Sequence, residues 1–210
     1  MTNLDKLLSI ASSSLSEREP EITEPVRNMA GILAEEILVV LRRRNGFYAF
    51  EGALHVFPSE SSQNETGLSD WNHTDLWRSG YKGLADSGVF FAEDIFGGQF
   101  CIKDDKIYIF DPETGSLEYL AADIESWAQM VLNDYEVLTG YPLAHQWQKR
   151  NGPIAAGMRL LPKVPFVMGG EFSLDNLYVV NALEGMRLRA DIADKIKSLP
   201  NGTQVKFSLD

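Results

Sequence analysis

The sequence predicts an α+β fold built on an antiparallel β-meander. Three observations lead there. Four apolar, β-branched or aromatic runs, Val89–Ala92, Gln99–Lys103, Lys106–Phe110 and Leu117–Ala121, follow one another across connections of two to six residues. Connections that short join antiparallel neighbours, because a parallel crossover needs about a dozen residues or more. One helical stripe precedes the meander and another follows it, so helices and strands are segregated along the chain as in α+β domains.

The elements follow in order. Residues 4–15 read as a short helix with a serine-rich end. "SEREPEITEP" places Pro20 and Pro25 among charges and reads as an irregular arm. A helix is expected over Val26–Arg44, with Met29, Leu33, Ile37 and Leu41 at four-residue steps on one face. Arg42, Arg43 and Arg44 suit the negative end of its dipole, and Asn45-Gly46 stops it. "FYAFEGALHVFPS" reads as two short strands around Glu51-Gly52. "ESSQNETGLSD" is a polar loop, and "WNHTDLWRSGY" a short helix with Trp71 and Trp77 on its face. Within the meander, Gly97-Gly98 permits a turn or bulge, Asp104-Asp105 turns the chain, and "DPETGS" supplies Pro and Gly for the last connection. Asp123 then caps a helix whose apolar stripe is Ile124, Trp127, Ala128, Val131, Tyr135 and Leu138, ended by Gly140. Phe91, Phe100, Ile109 and Trp127 are expected to be buried together, the helix lying on the meander.

This order divides the chain into an N-terminal helix and linker (1–25), a core domain (26–140) and a C-terminal extension (141–210). The extension opens with a short basic helix in "PLAHQWQKRNGP" and continues as strand, helix, strand. The strands are Leu177–Ala182 and Gln204–Ser208; the helix between them carries Leu188, Ile192, Ile196 and Leu199, and Pro200-Asn201-Gly202 ends it. Two strands bury little alone, so the extension is expected to pack on the core or to pair across a homodimer.

The 210 residues are 44% hydrophobic and 23% charged, ordinary for a globular protein. A single cysteine, Cys101, excludes an intramolecular disulfide and a cysteine-based metal cluster, and suits a reducing compartment such as the cytoplasm. The first residues lack the pattern of a signal peptide. The longest apolar run, "ILAEEILVVL", is too short for a bilayer, so no membrane association is expected. The net charge of −11 is unevenly placed. Residues 58–140 hold sixteen acids against four bases, a net of −12, and the remainder is at +1. Such a field repels nucleic acid and speeds encounter with a basic protein. Glu93, Asp94, Asp104, Asp105, Glu113 and Glu118 are the acids expected to meet that partner.

Signs of catalysis are few. His55, His73 and His145 are scattered without metal-ligand spacing, and no nucleophile elbow, phosphate loop or dinucleotide fingerprint is present. No cofactor or metal is expected. Cys101 sits between apolar neighbours and reads as a buried structural thiol. Asp70, His73 and Asp75 in "DWNHTD" are the alternative, a hydrolase-like site.

The segment "GVFFAEDIFGGQFCIKDDKIYIFDPETGSLEYLAADIESWAQMVL" resembles the core of the SUKH superfamily, the group of Smi/Knr-type cell-wall-assembly regulators and toxin-immunity proteins. The matching pattern is an apolar strand (Val89–Ala92), an acidic pair (Glu93-Asp94) and an aromatic-glycine turn (Phe96-Gly97). A strand ending in an aspartate turn (Phe100–Lys103, Asp104), another strand (Ile107–Phe110) and a helix bearing Trp127 complete it. The resemblance covers roughly residues 26–140; the basic extension and the long loop at 58–70 depart from the short members. It implies a non-catalytic protein-binding module, either an immunity protein that neutralises a basic toxin, often a nuclease, or a regulatory scaffold. On this view Phe90, Phe91, Phe96 and Phe100 fill the centre of the sheet. Glu93 and Asp94 sit where the strand leaves the core, so at least one of them faces solvent.

Overall fold

Six strands form one antiparallel meander in sequence order: β1 (Phe47–Ala49), β2 (Leu54–Val56), β3 (Val89–Asp94), β4 (Gln99–Lys103), β5 (Lys106–Phe110) and β6 (Leu117–Ala121). The computed structural model describes residues 1–197 and 199. The four predicted strands are thus present, and the sheet begins with the predicted pair on either side of Glu51-Gly52. Asp104 and Asp105 turn β4 into β5 with positive φ values of 49° and 56°, a conformation that Asp tolerates because its short side chain bonds locally.

One face of the sheet is covered by helices α1 (Asn3–Ser9), α2 (Glu24–Ala30), α3 (Ala34–Arg43) and α5 (Ile124–Asn133). Asp123 caps α5 as expected, its carboxylate accepting from Ser126 N. Trp127 meets Phe91 at 5.1 Å and Phe100 at 5.7 Å, both edge to face. Ile109 lies beside this group but is only partly buried. Replacing Trp127 by Ala should cost about 3 kcal/mol, the loss typical of emptying a packed aromatic site. A loss below about 1 kcal/mol in urea titration would contradict this packing of α5.

The helix expected over 26–44 is broken. Gly31 takes φ +58° between α2 and α3, and Asp105 from the β4–β5 turn accepts a hydrogen bond from Ile32 N at 3.0 Å. A Cβ at Gly31 would collide with that carboxylate. The break rotates α2 relative to α3, so Met29 is exposed whereas Leu33, Ile37 and Leu41 stay buried. The arginine run is structural in part: Arg43 pairs with Asp5, and Arg44 donates to the carbonyls of Ala11 and Ser12.

The opposite face is covered by residues of the 66–85 segment, including α4 (Leu68–Trp71), and here the aromatic residues interlock. Trp77 packs on Phe90 at 4.9 Å, and Tyr81 on Phe110 at 5.2 Å. Because both faces are covered, β3 is buried from Val89 to Glu93 rather than alternating in and out. Phe90 and Phe91, adjacent on the strand, pack against different layers, and the register shift at Phe91 leaves Phe91 and Ala92 on the same face.

The C-terminal region wraps one end of the sheet. It comprises α6 (Tyr135–Thr139), α7 (Tyr141–Asn151), a hairpin of β7 (Met158–Pro162) and β8 (Leu177–Asn181), and α8 (Ala182–Ile196). The first strand of this hairpin precedes Leu177, so the described order is strand, strand, helix; the expected strand at 204–208 lies outside the described residues. The hairpin docks through Leu160 N, which donates to Ile95 O at 2.9 Å. A second small core joins Ala53, Ile95, Ala144, Leu160 and Leu177, with Phe96 half-buried beside it. Phe96 therefore belongs to this junction and not to the centre of the sheet.

Two further corrections concern the same region. The buried face of α8 is Ala182, Gly185, Met186, Arg189, Ala190 and Ala193, while Leu188 and Leu199 are exposed. Small residues win that face because the turn at Arg78–Tyr81 and the β7–β8 hairpin approach too closely for Leu or Ile; a Cβ at Gly185 would already touch Leu161. At the other end of the region, Phe50 and Glu51 both hold positive φ values, 50° and 54°. That corner is fastened to α7, since Glu51 accepts from His145 and Tyr141 while Gln148 donates to its carbonyl. Among the described residues, no helix is long and apolar enough to cross a membrane.

Candidate binding groove

The acidic pair Glu93-Asp94 divides in two, as adjacent strand residues must. Glu93 points inward and is 1% exposed. Its Oε1 lies 3.1 Å from His55 Nδ1 and 2.7 Å from Arg159 Nη2, and its Oε2 accepts from Gln99 Nε2 at 3.1 Å. His55 stacks on Tyr48 at 4.4 Å, and its other nitrogen lies 3.3 Å from Glu65. Tyr48 in turn donates to Glu65, and burial pushes its hydroxyl up to about 12. Burial also pushes the Glu93 carboxyl up. Arg159, with His55 and Gln99, more than offsets this and holds it below the usual carboxylate range. Arg159 Nη2 is close to Glu93 but poorly aligned, and its Nε has no acceptor among the described residues, so charge rather than directed hydrogen bonding joins the pair.

This cluster has the residue types of a catalytic site and none of the access. His55, Glu93, Gln99 and Arg159 are each at most 2% exposed. Its work is to join β2 and β3 of the sheet to β7 of the C-terminal region. Glu93 is therefore not a surface acid: the arginine of the extension covers and neutralises it.

Asp94 faces the other way, half-buried, at the mouth of a groove. Its Oδ1 accepts from Phe96 N at 2.7 Å and Gly98 N at 2.8 Å. Its Oδ2 accepts no hydrogen bond among the described residues. Burial pushes this carboxyl up to about 7 despite the two N–H donors and the nearby Arg189. Glu113 is buried as well, 4% exposed, and its carboxylate accepts from Val167 N at 2.8 Å. Burial raises its pKa too. Glu113 thus tethers the 164–168 segment over the end of the sheet.

Two adjoining cavities result, both lined by Glu113 and Arg189. One, about 300 Å³, runs from Asp94 and Asp111 to the rings of Phe96, Phe166 and Phe172. The other, about 420 Å³, lies between the β7–β8 hairpin and α8, with Leu161, Val164, Met168, Tyr178, Leu188 and Ile192 on its walls. Arg189 is 4% exposed, and its donors are engaged: Nη1 on Phe96 O, Nε on Gly185 O, and Nη2 near Met186 Sδ at 3.6 Å. Around the groove several large apolar side chains stand in solvent, Phe172 at 66% and Val164 and Leu188 at 49% among them.

The six predicted contact acids do not form one patch. Asp94 and Glu113 lie at the end of the sheet where β3 turns to β4 and β5 to β6. Asp104 and Asp105 lie at the opposite end, about 15 Å away along the five-residue strands. Asp104 and Glu118 are exposed; Asp105 is exposed but engaged with Ile32 N. Of the sixteen acids in 58–140, Glu65, Glu93 and Glu113 are buried, so the acidic surface is smaller than the sequence count.

Asp70, His73 and Asp75 are exposed and do not converge. Asp70 accepts from Ser61 Oγ, and His73 Nδ1 accepts from Asp75 N at 3.3 Å. No group of three His, Cys, Asp or Glu side chains is arranged to hold a metal ion among the described residues. Cys101 is fully buried, and burial pushes its thiol up to about 12, so it is the inert structural cysteine expected.

No family model and no curated protein matches the chain. A solved structure does: Atu4351 from Agrobacterium tumefaciens, known from its crystal structure, superposes with a TM-score of 0.54 at 15% identity. The match covers 87% of this chain and 86% of that one. At that identity the likeness is one of fold. The uncovered 13% is about 27 residues, fewer than the 70 beyond Gly140, so the shared fold includes a large part of the C-terminal region.

Proposed function

We propose that the protein is a non-catalytic protein-binding module of SUKH type, acting as an immunity protein against a basic toxin or as a regulatory scaffold. One observation carries this reading: a groove with exposed Phe172, Val164, Val167 and Leu188 around a floor of buried charge. Exposed apolar side chains gathered at a concave site and rimmed by polar groups are the usual mark of a protein-docking surface. The negative field of residues 58–140 favours a partner with a basic face. The buried single cysteine suits a cytoplasmic setting.

The groove and the field make separable contributions, which gives the test. Once the partner has been identified by affinity capture from the native host, its binding kinetics are measured with purified proteins. Phe172→Ser removes an exposed ring and should speed dissociation about tenfold with little change in folding, since interface losses appear mainly in the off-rate. Asp104→Asn with Glu118→Lys should slow association several-fold at low salt. That difference should vanish near 0.5 M, where the screening length falls to a few ångström. Dissociation indifferent to Phe172→Ser would reject the groove as the docking site. A salt-independent association rate would reject the electrostatic contribution.

A further inference from the structure

We propose that the cavity at the β3–β4 end of the sheet is a socket for one guanidinium or ammonium group, carried by a basic side chain of the partner; the identity of the carrier rests on the binding-module reading above. Three features of the cavity point there. The first is its charge. Asp94, Asp111 and Glu113 line it against the single Arg189, an excess of two negative charges when Asp94 is ionised. The second is where the bonding capacity remains. Each nitrogen of Arg189 already has a partner, in Phe96 O, Gly185 O and Met186 Sδ, so three of its five N–H groups are taken and fewer remain for an anion. Asp111 is likewise engaged, accepting from Glu113 N at 2.8 Å and Thr114 Oγ1 at 2.9 Å. Asp94 Oδ2, by contrast, accepts nothing among the described residues. That oxygen is the acceptor left open in the cavity, and a donor that carries its own charge makes the stronger bond to it.

The third feature is the aromatic wall. Phe166 and Phe172 stack at 3.9 Å, and Phe96 meets each of them edge-on, at 5.5 Å and 6.1 Å. Rings beside carboxylates accept a cation through the quadrupole of the ring faces while packing against its aliphatic stem. A neutral polar group would gain neither. The volume, about 300 Å³, accommodates one long basic side chain. Burial of Asp94 agrees with this picture. The site holds a carboxylate partly desolvated and poised to titrate near neutrality, an arrangement that costs stability and that a bound cation relieves.

Free probes test the socket with the full chain and without any partner. N-acetyl-arginine amide carries the cation, and N-acetyl-citrulline amide is its neutral counterpart of nearly the same shape. Titration at pH 8 and low salt, followed by NMR shifts of the Gly97 and Gly98 amides, should show saturable millimolar binding of the arginine probe. The citrulline probe should bind at least tenfold more weakly. Asp94→Asn should lower the affinity for the arginine probe about tenfold. The same change should raise the thermal midpoint at pH 8, because it removes a buried charge, and a folding defect would lower it instead.

The arginine probe should also weaken as pH falls from 8 to 5.5 and Asp94 takes up its proton. The charged groups around Asp94 are Glu93 beside it on β3, Arg189 from α8, Glu113 and Asp111 from the β5–β6 turn, and Arg159 from β7. Equal binding of the two probes, or no binding of the arginine probe at 20 mM, would overturn the proposal. Neither result would touch the Phe172→Ser dissociation test, so the socket and the binding-module reading fail separately.

Discussion

Arg159→Ala should destabilise the protein by about 4 kcal/mol near neutral pH, the loss expected when one partner of a buried ion pair is removed. The reason lies in what remains. Glu93, 1% exposed in the intact protein, would keep His55 and Gln99 as partners but lose the guanidinium 2.7 Å away that offsets its burial. The Arg159 stem would also vanish from beneath the Tyr48 ring, which its guanidinium carbon faces at 5.6 Å.

The pH dependence separates the charge from the packing. In the intact protein the Glu93 pKa is depressed, so its contribution is present above the unfolded value of 4.5 and is lost as pH falls through the folded value. Without Arg159 the folded pKa rises, because burial is no longer offset. The deficit of the variant should therefore be larger at pH 8 than at pH 5, because the uncompensated Glu93 takes up a proton more readily as pH falls. A double change, Glu93→Gln with Arg159→Met, removes both charges and keeps the volume. It should recover more than half of the loss at pH 8. Urea titrations of the three chains at both pH values check this. A deficit independent of pH, or no recovery in the double variant, would mean that packing rather than charge holds the junction.

The sheet was legible because its information is local. Strand periodicity, the two-residue turn at Asp104-Asp105 and the cap at Asp123 each act over a few residues, and all appear where the sequence places them. The break at Gly31 was less legible, since the group that stabilises it is Asp105, more than seventy residues away. The face of α8 was misread for a related reason. Leu188 and Ile192 are the larger apolar side chains, but closeness to Gly80 and Leu161 favours Gly185, Ala190 and Ala193 at the contact.

The candidate site was half legible. Its acids stood out by composition, but composition cannot say which acids are covered. Glu93 carries a signal that could have been read: a charged residue inside an apolar strand needs a buried partner. His55 in "ALHVF" and Arg159 in "GMRLLP" carry the same signal, and the three meet in space. Three such residues on three strands suggest one cluster, though only the fold decides the pairing. Arg189 and the Phe166–Phe172 stack gave no comparable sign, because an arginine on a helix and two phenylalanines near glycines have many ordinary uses.

A chain ending at Gly140 should lose its cooperative unfolding transition altogether. Residues 141–197 are not appended to a finished core. Met186, Ala190 and Ala193 belong to the same buried cluster as the sheet, and Tyr81 donates to Met186 O as well as to Pro112 O. Truncation would expose Ile95 and Ala53, strip the α7 contacts from the left-handed corner at Phe50-Glu51, and leave Glu93 without its arginine. The expected product retains helix and strand by far-ultraviolet circular dichroism but binds a hydrophobic dye and unfolds without a sharp midpoint, the behaviour of a compact state without fixed packing. Glu93→Gln in the shortened chain should restore part of the transition if the orphaned charge is the main injury, and none of it if exposed apolar surface is. A shortened chain that stays monomeric, unfolds cooperatively and keeps the parent midpoint would show instead that residues 26–140 fold alone. The buried Glu93–Arg159 pair would then be a docking contact between two independent units.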